Sequence, residues 1–208
     1  MKNINEIIPC VILAGGKGRR MGGKEKGLIN LLDRPLISYV LEKVSGKAAP
    51  IALNINTNFE KFKKFGYEIL EDPLKGHLGP LVGILASLNW AKNINQKWVL
   101  TLPCDTPFLP QNLIETLVKV KNESRNNVDL VVAKSRGFNH PVIALWKTDN
   151  NLILKKAIEE GTRKIDVFTS QLKTAHVNFD EIDESKSDPF TNLNSPKDLI
   201  IAMQILGK

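Results

Sequence analysis

The sequence predicts an α/β protein in which helices cover both faces of a mostly parallel sheet, giving three α/β/α layers. Short apolar runs rich in β-branched residues alternate with longer amphipathic stretches along the chain, and a Gly-rich, cationic loop follows the first apolar run. Alternating strands and helices form parallel sheets that are covered on both faces. Ligands of such sheets bind beyond the carboxyl ends of the strands.

The predicted strands are apolar runs bounded by turn residues, and they cover residues 10–13, 51–55, 67–70, 98–102, 128–133, 142–146 and 174–177. Helical periodicity predicts helices over residues 35–44, 59–65, 81–91, 110–120, 151–160 and 196–206. Pro35, Pro110 and Pro196 stand at predicted helix starts, where a missing N–H loses no hydrogen bond. Ser195 is placed to cap the last helix, with Asp198 in its first turn.

Length and composition predict a single globular domain over residues 1–208. The chain has 42% hydrophobic and 25% charged residues, which are ordinary globular values. It has no apolar run of about 18 residues, which predicts no membrane span, and its first residues lack the apolar core of a signal peptide. Cys10 and Cys104 form no disulfide framework, so a reduced, cytoplasmic location is expected.

The net charge of +7 predicts an anionic partner. No zinc-finger, RNA-recognition or basic-zipper pattern occurs in the sequence, so an RNA-binding function rests on the charge alone. The cations cluster in one loop near the amino terminus. This location favours anionic nucleotides over nucleic acid.

That loop spans residues 13–27 and reads LAGGKGRRMGGKEKG, with five glycines and five cations between residues 15 and 26. Glycines let backbone N–H groups approach a polyphosphate closely, and the cations suit its charge. A P-loop is excluded because Glu25 stands where that motif needs a hydroxyl for its magnesium ion. A dinucleotide fingerprint is excluded because Met21 or Arg20, depending on which glycine begins the motif, stands where it requires glycine. The alternative is a solvated Gly/Lys linker, although linkers rarely begin at the end of a strand.

The spacing L-A-G-G-x-x-x-R-M-G-G-x-x-K-G resembles the signature loop of the molybdenum cofactor guanylyltransferases, in the Rossmann-like nucleotidyltransferase group with the nucleotide-diphospho-sugar transferase type of fold. Later segments resemble the family's landmarks in the same order: GPLVG at 79–83, PCDTP at 103–107, NHP at 139–141 and TNLNSP at 191–196. Val82 departs from the family's G-P-L-A-G, a change that bears on the expected nucleotide wall.

The resemblance implies transfer of GMP from GTP to the molybdenum-molybdopterin cofactor, with Mg²⁺ and with release of pyrophosphate. It implies a nucleotide side at about 9–110 and an acceptor side at about 111–208, with transient contact to molybdenum insertion proteins or apo-molybdoenzymes. CMP transfer to the same acceptor, or nucleotidyl transfer to another phosphorylated acceptor, is the enzymatic alternative. A nucleotide-sensing binding protein is the non-enzymatic alternative, and its expected mark is loss of Arg20, Lys26 or Asp105, all of which are present.

On the nucleotide side, the resemblance implies that Arg20, Lys26 and Asp105 are catalytic and that Asp105 binds the metal. The nucleotide-binding residues that it implies are Leu13, Ala14, Gly15, Gly16, Lys26, Asn54, Asp72 and Asp105. From the residues alone, Asp105 is either a hard oxygen ligand for Mg²⁺ or a turn aspartate. From the residues alone, Asp72 is a turn residue before Pro73, and Asn54 is an ordinary exposed strand position. Because the loop, Asp72 and Asp105 each follow a predicted strand, they should meet at one edge of the sheet.

On the acceptor side, the resemblance implies contacts with His140, Arg163, Lys164, Asn192 and Asn194. His140 is equally a structural histidine. Arg163 and Lys164 lie between two predicted helices and equally form a capped, solvated turn.

Overall fold

A seven-stranded sheet forms the centre of the protein in a computed structural model that describes residues 6–18, 24–74, 79–125, 127–180 and 188–207. In chain order its strands are β1 (Ile8–Leu13), β2 (Ala48–Asn54), β3 (Glu68–Leu70), β4 (Trp98–Pro103), β5 (Leu130–Ser135), β6 (Phe138–Lys147) and β7 (Thr174–Asn178). They are ordered β7-β5-β6-β4-β1-β2-β3 across the sheet. Only the pairings of β6 with β4 and β5 are antiparallel, so the predicted mostly parallel sheet is confirmed.

Helices pack on both faces of this sheet. They are α1 (Leu36–Val44), α2 (Phe59–Lys63), α3 (Pro80–Asn93), α4 (Leu113–Glu123), α5 (Asn151–Glu159), α6 (Ile165–Thr169) and α7 (Pro196–Leu206). Side chains of β1 alternate between the two cores: Cys10 and Ile12 join the cluster with α1 and α4, whereas Val11 joins the cluster with α3 and α5. The three predicted layers follow from this alternation, because successive strand side chains point to opposite faces.

The helix starts differ from the sequence expectation at two prolines. Pro110 precedes α4 by three residues, and its carbonyl accepts a hydrogen bond from the N–H of Leu113. Pro35 lies in a short strand pair, Asn30–Leu31 with Arg34–Pro35, and α1 begins after it. Pro196 does begin α7, where Ser195 and Asp198 form a reciprocal capping box. Helix α6, which has five residues, was not predicted from the sequence.

Both cysteines are free and buried. Within the described ranges, every helix is too short or too polar to cross a membrane.

Candidate active site

A cavity of about 1190 Å³ opens at the edge of the sheet where the parallel strands end. Leu13 ends β1, Asn54 ends β2 and Pro103 ends β4, and all three line the cavity. The antiparallel strand β6 begins at this edge and contributes His140. The predicted meeting of the Gly-rich loop, Asp72 and Asp105 is therefore found: residues of all three line one cavity.

The Gly-rich loop enters the cavity through Leu13, Gly15 and Gly16. Ala14 is buried behind them, and its N–H donates to the carbonyl of Asn54 at 2.9 Å, which extends the pairing of β1 with β2. A Cβ on Gly15 would lie 2.6 Å from Asn56 Nδ2, whereas a Cβ on Gly16 would meet nothing within 4 Å. The first glycine is thus required by the protein's own packing, and the second leaves open space.

Asp72 is held by two asparagines, one at the end of the neighbouring strand β2 and one two residues after it. Asn54 Nδ2 donates to one carboxylate oxygen at 2.9 Å, and Asn56 Nδ2 donates to the other at 2.8 Å. The backbone N–H of Asp72 donates back to Asn56 Oδ1 at 3.0 Å. Because Asn54 is 3% exposed, it is not the exposed strand position that the sequence left open. Sequence reasoning missed Asn56, whose only signal is a second asparagine two residues after Asn54.

Lys26, Asp105 and Asn194 meet at the base of the cavity. The Lys26 ammonium donates to Asp105 Oδ2 and to Asn194 Oδ1. The Lys26 side chain is 16% exposed and the Asp105 side chain 8%. The pair is thus shielded from water. A charge interaction is stronger at such a shielded place than at the surface. Lys26 and Asp105 belong to the expected nucleotide side, and Asn194 to the expected acceptor side.

The oxygen donors of this cluster fit a hard divalent cation. Mg²⁺ usually takes one or two carboxylates and completes its shell with water and substrate phosphates. The Asp105 carboxylate and the Asn194 amide oxygen already surround a cation, the Lys26 ammonium. In the part of the chain that the structure describes, no three His, Cys, Asp or Glu side chains cluster as an all-protein metal cage. An ion at Asp105 would therefore share its shell with phosphates.

Glu25 anchors the carboxyl-terminal end of the Gly-rich loop. Its Oε1 accepts from Thr57 Oγ1 at 2.5 Å and from Asn58 Nδ2 at 2.8 Å. Thr57 also lines the cavity. Glu25, which stands where a P-loop needs a hydroxyl, directly precedes Lys26. Its two hydrogen bonds thus hold this end of the loop against the segment that follows β2.

His140 and Phe190, which belong to the expected acceptor side, line the cavity. Their rings lie 4.9 Å apart between centroids. Burial lowers the pKa of His140, although Asp188, Asp180 and the Ser135 backbone oppose that shift. Asn192 and Asn194 also line the cavity.

Cys104 lines the cavity beside Asp105, and sequence reasoning gave it no role. Burial raises the pKa of its thiol far above the usual range, and the neighbouring Asp105 charge acts in the same direction. This shift favours the protonated thiol over the reactive thiolate.

Besides Ala14, three positions that the sequence analysis singled out do not line the cavity, and a fourth lies outside the described residues. Arg163 and Lys164 are exposed and are not among the lining residues, and the Arg163 guanidinium donates to the carbonyls of Ile158 and Thr162 at 2.6 and 2.9 Å. Val82 lies on α3 and packs in the core, and it is not among the residues that line the cavity. Arg20 lies outside the described residues, so the structure does not test its role.

Comparison with known proteins identifies the relatives of this chain. Residues 10–174 match the MobA-like NTP transferase domain. The molybdenum cofactor guanylyltransferase of Rhodopseudomonas palustris strain BisB5 is 38% identical over 200 residues, which cover 95% of this chain and 93% of the relative. The molybdenum cofactor guanylyltransferase of Shewanella sediminis is 33% identical over 190 residues, which cover 91% and 92%.

Solved structures show the same fold. Molybdopterin-guanine dinucleotide biosynthesis protein A from Archaeoglobus fulgidus superposes with a TM-score of 0.79 at 27% identity and covers 96% of this chain and 99% of its own. The 4-diphosphocytidyl-2C-methyl-D-erythritolsynthase of Anaerococcus prevotii superposes with a TM-score of 0.71 over 98% and 97% of the two chains. At 13% identity this second likeness concerns the fold alone.

Proposed function

The chain belongs to the MobA-like NTP transferase family and, within it, to the molybdenum cofactor guanylyltransferases, and from this premise we propose that it transfers GMP from GTP to the molybdenum-molybdopterin cofactor. A phosphate oxygen of the acceptor attacks the α-phosphorus of GTP and forms the new P–O bond. The bond to the β-phosphate breaks, and pyrophosphate leaves. The substrate supplies the nucleophile, so the protein has to bind, orient and stabilise charge.

The contact of Lys26 with both Asp105 and Asn194 carries this proposal. A transfer between two bound molecules needs one place where the phosphate of the first meets the oxygen of the second. In this chain the nucleotide and acceptor sides meet at the Lys26 ammonium. Positive charge at that place stabilises the negative charge that builds on the phosphoryl oxygens.

The nucleotide would lie along the loop and towards Asp72. Gly15 and Gly16 allow a phosphate to approach the backbone closely. Asn54 and Asn56 fix the orientation of the Asp72 carboxylate, and a carboxylate can accept hydrogen bonds from both neighbouring N–H groups of guanine. The cavity of about 1190 Å³ exceeds the usual range for one small ligand, about 300–1,000 Å³, and leaves room for an acceptor.

We assign Asp105 as the protein ligand of Mg²⁺. Bound there, the ion would neutralise phosphate charge and polarise the α-phosphoryl group. Lys26 then acts as the fixed cation on the phosphates, and Arg20 is expected to add a second one. His140, Asn192 and Asn194 would face the acceptor, whereas Arg163 and Lys164 would act on it from the rim of the site.

An assay of both products tests the proposal. The purified protein is incubated with Mg²⁺, molybdenum-molybdopterin and GTP, CTP or ATP in turn, and dinucleotide and pyrophosphate are quantified. We expect equal amounts of both products with GTP. Equal turnover of CTP would favour the cytidylyl alternative, and GTP binding without either product would favour a nucleotide-sensing protein.

A further inference from the structure

Ser135 links His140 on the cavity wall to Asp188 on the segment before α7. Ser135 is the last residue of β5, and it is fully buried. Its Oγ lies 2.7 Å from His140 Nε2 and 2.7 Å from Asp188 Oδ1. None of these contacts is needed to build the sheet, because they join only side chains.

Counting hydrogens fixes the direction of this chain of bonds. A serine hydroxyl has one hydrogen, and an ionised carboxylate can only accept. The Ser135 hydrogen therefore goes to Asp188. The Ser135 oxygen must then accept from His140, which places a hydrogen on Nε2.

Burial lowers the pKa of His140, which favours the neutral ring. A neutral imidazole carries one hydrogen, and here that hydrogen is on Nε2. Any hydrogen bond at Nδ1 must then be accepted from a donor.

Asp188 also orders the segment that carries the acceptor-side asparagines. Its Oδ1 accepts from the N–H of Phe190 at 3.0 Å, and its carbonyl accepts from the N–H and hydroxyl of Thr191. Farther along, the N–H of Leu193 donates to the carbonyl of Asp105 at 3.0 Å. The segment between these anchors places Phe190 and Asn192 on the cavity wall.

We propose that Ser135 and Asp188 are positioning residues for the acceptor: together they hold His140 as a fixed hydrogen-bond acceptor on the cavity wall and hold the 188–195 segment against it. The ligand group that fits such a histidine is an N–H or O–H donor. A pterin has amino and ring N–H donors, whereas an ionised phosphate oxygen has none. The identity of the acceptor as a pterin rests on the proposed function, but the hydrogen-bond chain does not.

Nitrogen NMR of the histidine rings tests the hydrogen-bond chain of His140, Ser135 and Asp188 without any substrate. The protein has three histidines, so His140→Gln assigns the His140 signal in ¹⁵N-histidine-labelled protein. We expect the hydrogen on Nε2 in the wild type, and loss of this preference in Ser135→Ala. Asp188→Asn keeps an oxygen for Ser135 and Phe190 and should retain the preference, whereas Asp188→Ala should lose it.

Steady-state kinetics test the positioning role. Ser135→Ala should raise the KM for the molybdopterin acceptor about tenfold, the size of one hydrogen bond, and leave the KM for GTP within about twofold. Ser124→Ala is the matched control, since it removes a serine hydroxyl bonded to the carbonyl of Val120 at the end of α4, and it should change neither constant.

A wild-type ring with its hydrogen on Nδ1 would overturn the proposal. So would equal changes in both KM values, or a loss of thermal stability with both constants unchanged. If neither the wild type nor any variant transfers guanylyl groups, the proposed function fails. The NMR result still decides whether the hydrogen bonds from His140 through Ser135 to Asp188 run in the proposed direction.

Discussion

Lys26 and Asp105 are 79 residues apart in the sequence, yet the Lys26 ammonium contacts the Asp105 carboxylate at the base of the cavity. The same ammonium contacts Asn194, which is 168 residues away. Three distant parts of the chain thus converge on one cation. This convergence gives the first two predictions.

Replacement of Asp105 by asparagine should keep the fold and abolish most turnover. Asparagine has nearly the same shape but lacks the charge that pairs with Lys26 and that, in the proposed reaction, would hold Mg²⁺. Loss of one such electrostatic group commonly lowers kcat by about 10²–10³. Initial rates in saturating Mg²⁺ measure the effect, with Asp149→Asn at an exposed ion pair as the matched control. Near-normal kcat would show that another residue holds the ion.

Replacement of Lys26 by alanine should harm both GTP affinity and kcat. In the proposed reaction the ammonium would meet the triphosphate before the transfer and the developing charge during it. A contact made in both states changes KM and kcat together. Titration with GTP and single-turnover rates measure the two effects separately. If only the KM rose, Lys26 would be a binding residue without a role in the transition state.

Alanine at Gly15 should lower the melting temperature of the free protein, and alanine at Gly16 should not. The new methyl group at Gly15 would lie 2.6 Å from Asn56 Nδ2 and would disturb its bond to Asp72. At Gly16 nothing lies within 4 Å. Thermal unfolding without ligand compares the two variants directly. Equal melting temperatures would mean that the Asn56–Asp72 pair shifts to admit the methyl group without loss of stability.

GTP with Mg²⁺ should raise the melting temperature more than CTP, ATP or UTP does. A ligand that binds only the folded state stabilises it by mass action. In the proposed nucleotide site, the Asp72 carboxylate that Asn54 and Asn56 hold would accept hydrogen bonds from guanine. The same panel on Asp72→Asn should show a smaller difference between GTP and CTP. Equal shifts from GTP and CTP in the wild type would remove the guanine assignment.

Replacement of Arg163 by alanine should destabilise the protein by about 1 kcal/mol, since its guanidinium donates to two carbonyls at the end of α5. The variant should spare GTP binding and raise the acceptor KM. Chemical denaturation and kinetics with each substrate varied measure these effects. A rise in the KM for GTP with an unchanged acceptor KM would contradict the division into nucleotide and acceptor sides.

The sequence by itself determined the strands, the mostly parallel sheet and the place of the site at its edge. These features follow from local patterns: apolar runs mark each strand, and side chains that follow parallel strands meet at one edge. The capping box of Ser195 and Asp198 was predictable for the same reason, since all its partners lie within four residues.

Only the tertiary structure decided which side chains meet. Contacts such as Lys26 with Asn194, Asn56 with Asp72 and Ser135 with Asp188 join residues with no periodic relation in the chain. The structure also turned Asn54 inward. Periodicity reports which face of an element is buried, whereas the partner of a buried polar group depends on strand order and loop path, which form only when the sheet assembles.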